Sequence, residues 1–97
     1  VMIVSVCKLF LILPSRSLKD KRRIVRSLTE KAASKFRIAV SEVGSNDVPA
    51  AAVIGMSSVS SESRHANNII DRAIEFIQAE RPDIEMMDVE RETLTGF

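Results

Sequence analysis

Residues 2–13, Met2-Ile3-Val4-Ser5-Val6-Cys7-Lys8-Leu9-Phe10-Leu11-Ile12-Leu13, form an apolar run that stops at Pro14. Such a run reads as a strand, because β-branched and large apolar side chains suit a pleated sheet and proline cannot extend the ladder. Alternate residues fall on opposite faces. Met2, Val4, Val6, Lys8, Phe10 and Ile12 share one, and Ile3, Ser5, Cys7, Leu9, Leu11 and Leu13 the other. Both faces are mainly apolar, so the strand belongs at the centre of a sheet covered on both sides.

Downstream, Ser17-Leu18-Lys19-Asp20 has the form of a capping box, in which the Ser17 hydroxyl and the Asp20 carboxylate satisfy free backbone N–H groups at a helix start. The helix runs to about Lys35, and Leu18, Ile24, Val25, Leu28, Ala32 and Phe36 form its apolar stripe. Ile38–Val43 reads as a second strand and Gly44–Pro49 as a turn-rich loop. Ala51–Ser60 is a third strand, with Gly55 permitting a bulge or the close approach of another chain segment. Serines 57, 58, 60, 61 and 63 offer caps for a second helix. Ala66, Ile69, Ile70, Ala73, Ile74 and Ile77 follow at helical spacing, Arg81-Pro82-Asp83 ends that helix, and Ile84–Leu94 is a polar strand suited to an edge.

The order β-α-β-β-α-β predicts an α+β, ferredoxin-like sandwich. Two right-handed crossovers place both helices on one face of a four-stranded antiparallel sheet. A chain of 97 residues fits one such domain, residues 1–97, with a core that needs no metal or disulfide. The second sheet face is too apolar to stand in water, and its simplest cover is another copy of the chain, so a homodimer is expected.

Composition narrows the class. With 45% hydrophobic and 28% charged residues and no apolar run near the roughly 18 residues of a membrane span, no membrane association is expected. Leu9–Leu13 lacks a cleavage pattern, so export is not indicated. The single cysteine, Cys7, has no partner for a disulfide and no metal-ligand spacing around it. A reducing, cytoplasmic setting without metal or cofactor is the expectation.

Charge is distributed unevenly. Residues 1–37 carry ten Lys/Arg against two acids, and residues 38–97 carry four against eleven, local balances of +8 and −7. On the first helix, with Leu18 at 0°, Arg22, Arg26, Lys19 and Arg23 fall at about 40°, 80°, 100° and 140°, away from the apolar stripe near 310°. Like charges four residues apart repel unless a counter-charge is present. Phosphate oxygens would supply one, so Lys19, Arg22, Arg23 and Arg26 are candidate nucleic-acid ligands. A solvated face partly neutralised by Glu30, or contact with an acidic protein surface, are the competing readings. Lys21, near 300°, points toward the sheet. Either it snorkels, or it joins Arg16 and the helix N-terminus in an anion pocket. Asp88, Glu90 and Glu92 share one face of the last strand and call for cations opposite, which a dimer mate could provide.

Enzymatic readings find little support. The connection Leu13–Ser17 has no glycine to cradle a phosphate, as acylphosphatases of this fold require, and His65 has no assignable partner. No Tyr or Trp is present and the third strand has no aromatic, which argues against base stacking on the sheet. No small-molecule substrate is indicated, and Met86-Met87 suit packing.

The element Ser17-Leu18-Lys19-Asp20-Lys21-Arg22-Arg23, with Met2-Ile3-Val4, Ser41-Glu42-Val43, Arg64-His65-Ala66 and Met87–Glu92, resembles the YlxP-like family of small bacterial proteins. The resemblance spans nearly the whole chain. It implies a ferredoxin-like fold, carries over no catalytic residues, and, by association through the neighbourhood of translation and ribosome-maturation genes, suggests an RNA-related role. The chain departs from its relatives in the Gly44–Ala50 loop, where Asp47-Val48-Pro49-Ala50 replaces a bulky aromatic.

Overall fold

The computed structural model describes residues 1–97 as β1 (Ile3–Ile12), α1 (Leu18–Phe36), β2 (Ala39–Gly44), β3 (Ala51–Ser60), α2 (Ser63–Glu80) and β4 (Glu85–Leu94). All strand pairs are antiparallel in the order β2-β3-β1-β4, which puts β1 inside the sheet and the polar β4 at an edge, as expected. No helix is long and apolar enough to cross a membrane.

Alternation along β1 decides where the core lies. Ile3, Ser5, Cys7, Leu9 and Leu11 are buried, whereas Val4, Val6 and Phe10 are half-buried and Lys8 and Ile12 exposed. The buried row meets Ala52, Ile54 and Met56 of β3, then Val25 and Leu28 of α1 and Ile70, Ala73 and Ile77 of α2, in one cluster. α1 lies on β2 and α2 on β1 and β3, so both helices cover the same face. Phe36 and Phe76 join the helices edge to face at 5.7 Å between ring centres, with the Lys35 ammonium 5.1 Å from the Phe76 ring. The other sheet face carries no element of this chain.

One helix end differs from expectation. Ser17 caps α1, its hydroxyl accepting from the Asp20 N–H at 3.1 Å, but the serines before α2 do not cap it. Glu62 occupies that position without a side-chain cap bond, and the Ser60 hydroxyl accepts from the Glu62 N–H instead. At the end of α1, Arg37 adopts the left-handed conformation (φ 53°, ψ 50°) and its N–H donates to the Ala33 carbonyl. A side chain there is strained where glycine is not. Arg37→Gly is therefore expected to stabilise the chain by about 0.5–1 kcal/mol, measured as a rise in the urea midpoint at unchanged slope.

Gly55 has a specific task on the uncovered face. A Cβ placed on it would stand 3.1 Å from Val43 Cγ1, tighter than van der Waals contact allows. The missing side chain lets Val43 lean from β2 across β3. It also leaves a groove of about 580 Å³ there, whose lining includes Lys8, Ser41, Gly55, Ser57 and Glu90.

Candidate nucleic-acid interface

α1 turns its apolar stripe inward, burying Val25, Leu28 and Ala32, so its cations are driven outward. Lys19, Arg22, Arg23 and Arg26 are all exposed and line one shallow depression of about 460 Å³ with Ser27, Glu30 and Lys31. The structure thus brings together all four residues that the helical spacing put on this face. They differ in their neighbours. Arg26 Nε donates to Glu30 Oε1 at 3.0 Å, one turn along the helix, and Lys31 Nζ donates to Glu80 Oε1 at 2.6 Å. The Lys31 ammonium holds the Glu80 carboxyl below its usual range. Lys19, Arg22 and Arg23 form no salt bridge, so their charges are open to an outside anion.

Lys21 corrects one expectation. Its side chain neither snorkels nor joins Arg16, which stays exposed. It is fully buried, with Nζ 2.8 Å from Glu42 Oε2 as an ion-pair contact and donating to the Ser45 carbonyl. The anion that Lys21 requires is internal. Burial of the first helical turn against β2 leaves the ammonium no route to water, and Glu42 on the helix-facing side of β2 is the carboxylate within reach. The same corner is tied by the Ser15 hydroxyl, which donates to the Pro49 carbonyl. The β1–α1 connection and the β2–β3 loop are therefore one polar clamp beneath the basic face. Sequence periodicity found Lys21 facing inward but could not find Glu42, because the pairing depends on how α1 sits on β2.

The acids of β4 lie elsewhere. Asp88 is opposite Phe10, Glu90 opposite Lys8 and Glu92 opposite Val6 in the β1–β4 ladder, so all three project from the uncovered sheet face. α1 is on the other side of the sheet. These three acids are thus separated in space from α1, and within one chain the basic helix face is not neutralised by β4. Arg91, on the helix-facing side of β4, donates instead to Asp71 and to the Asn67 carbonyl of α2.

The remaining singled-out residues contribute no site. His65 is exposed at the start of α2. Cys7 is buried, and burial pushes its thiol pKa up, against a smaller lowering by Arg91, so little reactive thiolate forms near neutral pH. Met86 packs against the core, but Met87 is 58% exposed, because a bulge where Phe10 gives way to Leu11 turns it outward.

A family model described as "Protein of unknown function (DUF503)" matches residues 4–91. The chain belongs to this family. The chain is 30% identical to the "Uncharacterized protein YlxP" of Bacillus subtilis (strain 168) over 69 residues, 71% of this chain and 74% of that one. Among solved structures, the chain is similar to the de novo designed protein LFR1 1 with ferredoxin fold, at 14% identity and TM-score 0.60, covering 99% of this chain and 88% of that one. It is also similar to the de novo designed protein Foldit4, at 12% identity and TM-score 0.59 over the whole of both chains. These two matches concern the fold alone, and the DUF503 chain is ferredoxin-like.

Proposed function

We propose that the chain is a non-enzymatic accessory protein that docks on RNA or a ribonucleoprotein through the outer face of α1. The observation that carries this reading is the set Lys19, Arg22 and Arg23, three exposed cations within little more than one turn of one helix with no carboxylate of this chain paired to them. Keeping like charges together costs a few tenths of a kcal/mol per pair, and a phosphate backbone reverses the sign of that term. A rigid helix presents them at fixed spacing, which suits backbone and shape recognition. Arg26, shared with Glu30, can swing to a phosphate at the loss of an exposed pair worth little.

Fluorescence anisotropy with a labelled RNA hairpin, titrated at several salt concentrations, tests the reading. Three phosphate contacts predict a slope of log K against log salt of about −2 to −3. The double variant Arg22→Glu/Arg23→Glu is expected to bind at least about 30-fold more weakly, with a shallower slope. Binding that ignores both salt and the double reversal rejects the proposal. Polyglutamate bound as tightly as the hairpin would shift the reading to an acidic protein surface.

A further inference from the structure

The uncovered sheet face carries its own complement. β1 and β3 are neighbours there, and their outward residues pair at matching heights: Val6 with Ser57, Lys8 with Gly55, Phe10 with Val53. In each pair the β1 side chain is the larger. The strand β1 is therefore a ridge and β3 a trough beside it, deepest at Gly55, where the groove lies. A two-fold contact requires a patch that fits itself. Rotation by 180° about an axis along the strands, midway between β1 and β3, lays each ridge into the other copy's trough at the same height.

Charge selects that axis over its alternative. Rotation about an axis across the strands would set the β4 acids Asp88, Glu90 and Glu92 against the same acids of the mate. Rotation along the strands sets β4 against β2, whose outward residues Ala39, Ser41 and Val43 are uncharged. Lys8 is the only basic residue among the outward strand positions, and Glu90 stands directly opposite it in the ladder, so it can be covered as a neutralised pair. Val43 and Val59 are 52% and 60% exposed, apolar surface that a second copy would remove from water. Three strands of ten residues and one of six, at about 4.8 Å between strands and about 3.3 Å per residue, make a face of roughly 570 Å² per copy. Two such faces total about 1,140 Å², above the roughly 1,000 Å² that a specific interface needs.

We infer that this face is the interface of a homodimer with its two-fold axis along the strands, the Lys8 side chain of each copy lying over Gly55 of the other. Both α1 faces remain outside the contact, so the inference stands independently of RNA binding. Sedimentation equilibrium of the full chain at micromolar concentration is expected to give the mass of two chains. Lys8→Glu and, separately, the exposed substitution Val59→Lys are each expected to weaken association at least tenfold with an unchanged circular dichroism spectrum, while Arg22→Glu leaves it unaltered. Register is read with a Val4→Cys chain and an Ile12→Cys chain, at opposite ends of β1: with the axis along the strands each position lies beside its own copy at the same height, so a short bismaleimide should link each variant to itself, and a mixture should give no link between the two. A monomer at all concentrations, loss of the dimer in Arg22→Glu but not in Lys8→Glu, or linking of Val4→Cys to Ile12→Cys in place of self-linking would each overturn the inference.

Discussion

Glu42→Ala is expected to lower the unfolding free energy by about 3 kcal/mol, more than an exposed ion pair could account for. The reason is the state in which Lys21 is left. Its side chain is fully buried while that of Glu42 is 19% exposed, so removing the carboxylate strands an ammonium with one carbonyl and no water. Removing the other partner is milder. Lys21→Met keeps the apolar stem packed and leaves a carboxylate that can draw in solvent, so about 1 kcal/mol is expected. The double variant Lys21→Met/Glu42→Ala should lie within about 1 kcal/mol of the natural chain, because the pair is costly to break but not to replace. Thermal unfolding makes the contrast visible, since 3 kcal/mol corresponds to a midpoint drop of roughly 12–24 °C in a domain of this size. A larger loss in Lys21→Met than in Glu42→Ala would mean that the lysine stem, not its charge, matters.

Leu9→Ala is expected to cost about 3–5 kcal/mol, a large share of the roughly 5–15 kcal/mol available to a small domain. Leu9 has no exposed surface and stands between Ile54 of β3 and Val89 of β4 in the ladder. Strand backbones held on both sides cannot collapse into the space that its isobutyl group leaves, so the cavity persists. Urea unfolding should show a reduced midpoint at unchanged slope, the mark of lost packing in a fold that remains the same. A cost below 1 kcal/mol would mean that α2 shifts onto the sheet to fill the space.

Much of the architecture was legible because it depends on short-range periodicity. The apolar run at residues 2–13, the Ser17 cap and the stripe from Leu18 to Phe36 each concern neighbours within a turn or a pleat. The same periodicity placed Lys19, Arg22, Arg23 and Arg26 on one outward face, where they are found. Caps at α2 were misjudged because five serines compete for one position and the chain's path selects Glu62. Lys21 was misjudged for a different reason: its angle on the helix was right, but its partner comes from another element.

By itself, then, the sequence determined the order of elements, the inward stripe of each helix, and the cationic row on α1, since these follow from repeats of 3.6 and 2 residues. Only the tertiary structure decided that Lys21 meets Glu42, that the acids of β4 lie across the sheet from the basic helix, and that the ridge of β1 runs beside a trough at Gly55. Those facts depend on strand register and on how a helix sits on its sheet, long-range quantities to which no local periodicity is sensitive.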